Sequence, residues 1–245
     1  MMLLRSLLFM VAVTAITMVA GILVTIGILL PMSLRYAIIA LWRKGFMGLA
    51  AGVLGIRMKV LGRENIPAEP SVILSKHQSA WETVALQEVF PPLVFVLKKE
   101  LLRMPFFGWG LAAMKMISID RKAGKDALGQ VVEQGKERLA AGYWVVIFPE
   151  GTRVAPGEKR RYKPGGAHLA VKAGAKVVPV AHNAGEVWPR QVFPKRPGTV
   201  TVSIGPAIDS TGLTEVALNA QVEAWIEGEM RRISPHRYKD APVPA

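Results

Sequence analysis

The sequence predicts an α/β fold, with a mixed and largely buried sheet flanked by helices and with a membrane helix or helical hairpin at the N-terminus. Three observations support this prediction. Residues 6–34 contain no charged side chain. From about residue 59 onwards, short apolar runs appear, and they alternate with stretches of helical periodicity. Such alternation is typical of a domain whose buried strands are covered by helices.

The first apolar segment, residues 7–30, is long enough to cross a bilayer. At about 1.5 Å per residue, a helix of this length spans a hydrocarbon core of about 30 Å. A signal peptide is the competing interpretation, but its apolar region is only about 7–15 residues long and ends at a small-residue cleavage site. The run here is longer, and residues 31–35 form a poor cleavage context. A retained membrane segment is therefore preferred.

A second apolar stretch, residues 36–53, carries Trp42 and a small basic cluster. Three interpretations of it remain open: an amphipathic helix at the membrane interface, the second arm of a membrane hairpin, or a helix that packs on the folded domain. Basic residues after the first apolar segment predict that this flank is cytoplasmic. They are Arg35, Arg43, Lys44, Arg57 and Lys59.

Six short apolar runs are predicted as strands. They are residues 72–75, 94–97, 116–120, 143–148, 177–181 and 199–204. The clearest helix is predicted over residues 126–141, where Asp126 is a suitable N-cap, apolar residues recur at helical spacing, and Gly142 ends the helix. A final amphipathic helix over residues 213–233 is expected to cover one face of the sheet.

These elements divide the chain into three regions. Residues 1–58 are predicted as a membrane anchor, residues 59–233 as the globular domain, and residues 234–245 as a flexible tail. The tail contains three prolines.

The composition combines 51% hydrophobic residues with a formal net charge of +13. A basic surface attracts nucleic acid, anionic lipid or phosphorylated substrates. The sequence has no nucleic-acid-binding motif, so nucleic acid is not predicted as a partner. A chain held at a bilayer meets anionic lipid first. The absence of cysteine excludes disulfides, thiolate metal sites and cysteine nucleophiles.

His77 follows the predicted strand 72–75, at the end of a sheet where α/β proteins place ligands and catalytic groups. Glu82 comes five residues later, in the first turn of a predicted helix. Its carboxylate can hydrogen-bond one imidazole nitrogen and leave the other free to take a proton. Read alone, the pair is more typical of a structural or surface contact than of a catalytic one.

The turn at residues 148–153, with the sequence Phe-Pro-Glu-Gly-Thr-Arg, follows a strongly apolar predicted strand. Arg153 suits bidentate recognition of a phosphate, and Gly151 allows the backbone to approach a ligand closely. Thr152 adds a hydroxyl group. The alternative is an ordinary turn with a solvated arginine. A loop histidine and a membrane segment in the same chain make this alternative less favoured.

Taken together, these motifs resemble those of the bacterial 1-acyl-sn-glycerol-3-phosphate acyltransferases, the PlsC family of lysophosphatidate acyltransferases. The resemblance covers residues 60–210 and rests on four blocks in the family's order. They are residues 77–82, similar to the His-x4-Asp block; residues 116–121; residues 148–153, which match Phe-Pro-Glu-Gly-Thr-Arg directly; and the apolar residues 177–181 with their proline. Residues 162–166 resemble the basic segment that usually follows the third block.

The resemblance implies a glycerol-3-phosphate acyltransferase-like fold and an enzyme that moves a fatty acyl group from acyl-CoA or acyl-carrier protein to the sn-2 hydroxyl of lysophosphatidic acid, which forms phosphatidic acid. His77 would be the general base and Glu82 its partner. Residues implied in binding the acceptor phosphate are Arg153, Arg121, Thr152, Gly151, Glu150 and Lys163. The implied partners are the two substrates and membrane lipids, at the cytoplasmic face of the inner membrane.

Two positions depart from the family pattern. Glu82 stands where aspartate is usual, and Lys76 stands where asparagine is common. A lysine beside His77 is expected to disfavour a protonated imidazole, which suits a general base. Ser79 is interpreted as a loop-stabilising hydroxyl, because the Gly-x-Ser-x-Gly pattern of a serine nucleophile is absent around it.

No metal or other cofactor is predicted, because the remaining histidines are too scattered along the chain to form a metal site. They are His168, His182 and His236. Three alternatives remain open: an acyltransferase for another lysophospholipid or a lyso-aminolipid, a thioesterase, and a non-catalytic membrane protein that binds anionic lipid.

Overall fold

The structure is a computed structural model that describes residues 1–120, 123, 125–190 and 193–238. Its seven-stranded sheet has the order β1-β7-β6-β2-β5-β3-β4. The strands are β1 (Ile56–Leu61), β2 (Val72–Ser75), β3 (Leu93–Lys98), β4 (Ile117–Ile119), β5 (Trp144–Ile147), β6 (Val177–His182) and β7 (Gly198–Ile204). All neighbouring pairs are parallel except β6 and β7, which are antiparallel. The predicted mixed and buried sheet is confirmed.

Helices connect and cover these strands. They are α1 (Met2–Ile26), α2 (Met32–Leu49), α3 (Trp81–Val89), α4 (Phe107–Ala113), α5 (Lys125–Ala140), α6 (Gly165–Ala173), α7 (Ala184–Val187) and α8 (Glu215–Ile233). In the described part of the chain, three of the connections include 3-10 turns, and a π-helical turn, Ala50–Leu54, ends the second helix. Parallel strands need such crossovers, because a tight turn cannot bring the chain back to the same end of the sheet.

The core has two apolar layers, one on each face of the sheet. On one face, α3 and the N-terminal helices supply buried aromatic and aliphatic side chains, among them Phe9, Phe46 and Trp81. On the other face, α5, α6 and α8 supply Val131, Leu169 and Ile226. Because both faces are covered, the central strands β2, β5 and β6 are nearly continuous apolar runs, as is typical of buried parallel strands.

Strand β1 is absent from the predicted elements. Its basic residues Arg57 and Lys59 alternate with apolar ones, so the segment looks like the flank of a membrane helix. In the structure it pairs along its whole length with β7 at the edge of the sheet. The predicted domain boundary at residue 58 therefore falls inside a strand. Helix α5 begins at Lys125, so Asp126 lies in its first turn and is not its N-cap.

The N-terminal helices form a hairpin in which the start of α1 and the end of α2 contact each other and Trp188 of the globular domain. The Arg5 guanidinium donates to the carbonyl of Val53 at 2.5 Å. The Phe9 ring lies edge-on to Phe46 and Trp188, with centroids 5.6 and 5.3 Å away. Of the three interpretations of residues 36–53, the structure combines two, a hairpin arm that also packs on the domain.

The outer side of this hairpin is apolar and exposed, with side chains such as Val11 at 72% and Leu41 at 76% exposure. Both helical stretches, Met2–Leu29 and Met32–Leu54, have the length and composition of a membrane-crossing helix. Their exposed apolar surface favours association with a membrane, since water contact with so large a patch is unfavourable.

Gly21 permits the close contact between α1 and α4. A Cβ at this position would lie 2.5 Å from the carbonyl oxygen of Phe106. We expect Gly21→Leu to separate the two helices and to lower stability by about 1–3 kcal/mol, as overpacked sites do. Thermal unfolding in detergent would measure this. Gly48→Leu is the matched control, because a Cβ at Gly48 meets no atom within 4 Å. Equal melting temperatures of the Gly21→Leu and Gly48→Leu variants would contradict the prediction.

The described part of the expected tail is ordered. Ser234 is buried, and Pro235–Arg237 form a 3-10 turn. The Arg231 guanidinium lies over the ring of Tyr238 at 5.2 Å. Residues 234–238 thus pack against the domain through apolar and cation–π contacts, and the flexible tail stays a prediction. The rest of the predicted tail lies outside the described residues.

Candidate active site

Two loops meet at the carboxyl ends of β2 and β5, which are parallel neighbours in the sheet. One is the loop that carries His77, and the other is the turn that contains Glu150. The His77 N–H donates to the Glu150 carboxylate at 2.8 Å, and the Val154 N–H donates to the His77 carbonyl at 2.8 Å. These two bonds fix the backbone of His77 from both sides. The parallel arrangement thus brings together two motifs that lie about seventy residues apart.

His77 and Glu82 form the predicted pair. The imidazole Nδ1 lies 2.8 Å from Glu82 Oε1, and the same oxygen accepts bonds from the N–H groups of Gln78 and Ser79 at 3.0 and 2.8 Å. The Glu82 side chain is fully buried, whereas that of His77 is 15% exposed. Because the carboxylate accepts a hydrogen bond from Nδ1–H, Nε2 is the ring nitrogen that can take a proton from a substrate.

Glu82 stays ionised in this setting. Burial alone would raise the pKa of its carboxyl, but the neighbouring His182 and the hydrogen-bonded His77 hold it below the ordinary value. Burial lowers the pKa of His182, and the nearby Glu82 opposes this shift. The His182 Nε2–H donates to the Lys76 carbonyl at 2.7 Å. His182 therefore supports the loop that carries His77, a role that its position at the end of a predicted strand did not suggest.

The His77 ring is held by stacking as well as by hydrogen bonds. Its centroid lies 4.0 Å from that of Phe148, and the planes are 17° apart. Phe148 in turn stacks on Phe95, with centroids 6.1 Å apart. Phe148 belongs to the predicted turn, but its contact with His77 was not foreseen. The only signal for it in the sequence is its position at the end of β5.

Ser79 is the loop-stabilising residue that the sequence predicts. It is fully buried, and its Oγ accepts a bond from the Trp81 N–H at 3.1 Å, at the start of α3. A hydroxyl in this position satisfies one of the unpaired donors of a helix N-terminus. A buried and engaged hydroxyl is poorly placed to attack a substrate.

Basic side chains surround the turn at residues 151–153. Gly151 has φ +69°, and a Cβ there would lie 3.0 Å from Lys163 Nζ. Arg190 reaches Thr152 Oγ1 at 3.5 Å. Burial and the nearby Arg153 lower the pKa of Lys195. Positive charges gathered around this turn form a surface that attracts an anion.

Arg190 and Lys195 were missed in the sequence, because they lie outside the four motif blocks. The sequence could have indicated them only through the basic character of the segment that precedes β7. The expected Arg121 lies outside the described residues.

Glu150 and Lys76 differ from their predicted roles. Glu150 is 1% exposed, and its carboxylate contacts the His77 N–H and the Lys76 ammonium. It therefore does not belong with the phosphate-binding residues, since a carboxylate would repel a phosphate. Lys76 is fully buried and paired with two carboxylates, Glu150 and Glu227. Its charge is thus compensated, and the expected effect of an unpaired lysine beside His77 does not apply.

The other histidines lie in separate surroundings. His168 pairs with Glu215, and His236 Nε2 lies 3.4 Å from Glu186. Among the residues that the structure describes, no group of three or more histidine, aspartate or glutamate side chains is arranged to hold a metal ion.

The chain is similar to known acyltransferases. The family model named Acyltransferase matches residues 57–183. A 1-acyl-sn-glycerol-3-phosphate acyltransferase of Pseudomonas aeruginosa is 48% identical over 236 residues, which are 94% of this chain and 92% of that protein. The enzyme of the same name from Borreliella burgdorferi is 32% identical over 66% of this chain and 65% of its own length.

A solved structure supports the fold. The crystal structure of the 1-acyl-sn-glycerophosphate (LPA) acyltransferase, PlsC, from Thermotoga maritima has a TM-score of 0.77 and 24% identity, and the match covers 96% of this chain and 98% of that one. At this identity the likeness concerns the fold alone. The family match and the relative from Pseudomonas aeruginosa decide the assignment, and the chain belongs to the family of the 1-acyl-sn-glycerol-3-phosphate acyltransferases.

Proposed function

We propose that this enzyme transfers a fatty acyl group from a thioester donor to the free sn-2 hydroxyl of lysophosphatidic acid, and so produces phosphatidic acid. The observation that carries the proposal is the His77–Glu82 pair, hydrogen-bonded at 2.8 Å beside the basic turn that ends at Arg153. The relatives that bear the name of this activity support it.

In this mechanism His77 Nε2 removes the proton of the acceptor hydroxyl as its oxygen attacks the thioester carbonyl. The tetrahedral intermediate collapses, the carbon–sulfur bond breaks, and the proton passes to the leaving thiolate. Glu82 stabilises the imidazolium that forms in between. The acceptor oxygen is itself the nucleophile, so no covalent acyl-enzyme is needed. No metal or other cofactor takes part, and acyl-CoA or acyl-carrier protein acts as a co-substrate.

The acceptor phosphate is assigned to the basic turn. Arg153 can hold two phosphate oxygens at once, and Lys163 adds a point charge beside the open backbone of Gly151. Thr152 supplies a hydroxyl group. Binding the phosphate here fixes the position of the lipid relative to His77, and orientation of this kind supplies much of an enzyme's rate gain. The basic residue Arg121 is assigned to the same phosphate by family resemblance alone.

The enzyme is assigned to the cytoplasmic face of the inner membrane. Two apolar helices at the N-terminus support a membrane location. The basic residues after the first helix favour the cytoplasmic side. Both proposed lipids are anionic, and the net charge of +13 suits a surface that holds them.

Release of free thiol from acyl-CoA, with and without lysophosphatidic acid, tests the function. The proposal predicts release that depends on the acceptor, together with formation of phosphatidic acid. Release without acceptor would instead identify a thioesterase. Vesicle binding without any thiol release would identify a protein that only binds anionic lipid. A different lysophospholipid used in preference would change the acceptor and leave the chemistry intact.

Arg153→Ala is expected to raise KM for lysophosphatidic acid by about 10–100-fold, because a hydrogen bond to a charged group contributes about 1.5–3 kcal/mol. KM for acyl-CoA should change much less. Initial rates at varied concentrations of each substrate would measure both constants. Arg57→Ala is the charge-matched control, since Arg57 is exposed on edge strand β1. An equal rise in both KM values for Arg153→Ala would argue against a phosphate clamp.

A further inference from the structure

A cluster of three buried charges lies behind the catalytic loop, and the mechanism above does not use it. Lys76 Nζ lies 2.7 Å from Glu150 Oε1 and 2.8 Å from Glu227 Oε1. The exposed fractions of these side chains are 0% for Lys76 and Glu150 and 5% for Glu227. We call Lys76, Glu150 and Glu227 the buried charge cluster.

The cluster is bonded directly to the backbone that carries the catalytic base. Lys76 precedes His77 in the chain, and Glu150 accepts the His77 N–H through its other oxygen, Oε2, at 2.8 Å. The Lys76 N–H donates to the carbonyl of Val180 on β6 at 2.9 Å. A shift of the Lys76 ammonium would therefore move Glu150, which accepts the His77 N–H, as well as the residue that precedes His77 in the chain.

Glu227 brings the C-terminal helix α8 into this arrangement. Its Oε1 also accepts a bond from the Tyr162 hydroxyl at 3.0 Å. The helix is anchored on the sheet by fully buried side chains, among them Val222 and Ile226. Glu227 lies outside residues 57–183, the part that the family model matches. Helix α8 thus supports the His77 loop in space, although Glu227 and Lys76 lie about 150 residues apart in sequence.

Stability alone is a poor reason for such a cluster. Taking ions out of water costs several kcal/mol for each ion, and replacing buried ion pairs with apolar residues is often neutral or stabilising. Two carboxylates facing one ammonium leave an excess of negative charge. Burial raises the pKa of Glu150 despite the opposing effects of Lys76 and of the His77 N–H, and the nearby Glu227 adds to the rise. Directional ion pairs do, however, define one geometry far better than apolar contacts, so the cluster suits a positioning role.

We propose that Glu227 and Lys76 are positioning residues for acyl transfer, which hold the His77 loop in its reactive geometry through Glu150. This inference rests on the proposed function. It assigns to α8 a part in catalysis, although none of its side chains needs to touch a substrate. A misplacement of catalytic groups by about 1 Å can cost about 100-fold in rate. Loss of positioning should therefore lower kcat and leave both KM values nearly unchanged.

The test compares Glu227→Gln with Glu223→Gln. Glu223 lies one turn earlier on α8 and pairs at 2.8 Å with Lys159, whose side chain is 57% exposed. Each variant is assayed per folded enzyme, well below its melting temperature. We expect kcat of Glu227→Gln to fall by about tenfold, with KM for both substrates within about twofold. Glu223→Gln should match the wild type in kcat.

A second substitution makes the result sharper. Lys76→Met leaves Glu150 and Glu227 facing each other without a cation, and we expect kcat to fall by about 100-fold. Adding Glu227→Gln removes one of the two opposed charges, so the double variant should recover about tenfold of that loss. A purely structural cluster would change melting temperatures and leave kcat per folded enzyme constant.

The outcomes separate cleanly. An unchanged kcat in Glu227→Gln, or a double variant slower than Lys76→Met, would overturn the positioning role. If Lys76→Met does not accumulate in folded form, the comparison of Glu227→Gln with Glu223→Gln decides by itself. A wild-type enzyme that releases no thiol in the presence of lysophosphatidic acid would instead refute the proposed function. An active wild type with unaffected variants would refute this inference alone.

Discussion

Replacing His77 with alanine is expected to lower kcat for acyl transfer by about 100- to 10,000-fold, the range typical of a positioned general base. The acceptor hydroxyl is a weak nucleophile until its proton is removed, and His77 Nε2 is the base assigned to it. Thiol release from acyl-CoA with saturating lysophosphatidic acid would measure the loss. KM values should change little, because the phosphate and the acyl chain are bound by other residues.

The variant must remain folded for this result to be meaningful. The His77 side chain is partly exposed, and its backbone bonds to Glu150 and Val154 do not need the imidazole. Membrane association and the melting temperature should therefore stay close to those of the wild type. His168→Ala is a suitable control, since His168 pairs with Glu215 away from the His77 loop. Turnover near the wild-type level in His77→Ala would refute the mechanism.

Glu82→Gln is expected to have the second large effect, a fall in kcat of about 100- to 10,000-fold. An amide that donates to His77 Nδ1 stabilises the wrong tautomer, and even in the other orientation it provides no negative charge for the imidazolium. Kinetics of Glu82→Gln beside Glu82→Asp would measure this. The aspartate keeps the charge but is one methylene shorter, so its loss should be smaller. Equal activity of the glutamine variant and the wild type would exclude the dyad.

Stability against pH gives an independent readout for the same substitution. The pKa of Glu82 is lower in the folded protein than its ordinary value, so its carboxylate stabilises the fold at pH above the unfolded value of about 4.3. This contribution is lost as the pH falls through the folded pKa. Glu82→Gln should therefore be less stable than the wild type at pH 7, and the difference should shrink on acidification. A constant difference would show that Glu82 is not held ionised by its surroundings.

Most of the fold can be predicted because buried strands have a strong local signature. Strand β2 has the predicted bounds, and β6 is only one residue longer than expected. Strand β1 could not be predicted, because two of its six residues are basic and its partner β7 lies about 140 residues away in sequence. The hairpin formed by α1 and α2 was one of several options, since a hydrophobic run does not reveal what its buried side contacts.

The candidate site shows the same division. The order of the motifs is a property of the chain, and it identifies His77, Glu82 and Arg153 as candidates before any contact is known. The contacts of Glu150 and Lys76 are not local. A glutamate in a turn next to an arginine looks like part of a ligand site, yet its carboxylate is turned inwards because a buried ammonium and the His77 N–H lie there.

Sequence alone is thus sufficient for the α/β class, for His77 and Glu82 as a candidate pair, for the basic turn and for the apolar N-terminal segment. Periodicity, spacing and residue chemistry encode these features within stretches of a few residues to a few tens of residues. Only the tertiary structure decides which charges face one another, as with Lys76 and Glu227, and which helices support the His77 loop. Such contacts form only where elements that are distant in sequence pack together. Because burying an unpaired charge costs free energy, few arrangements of these charged side chains are then possible.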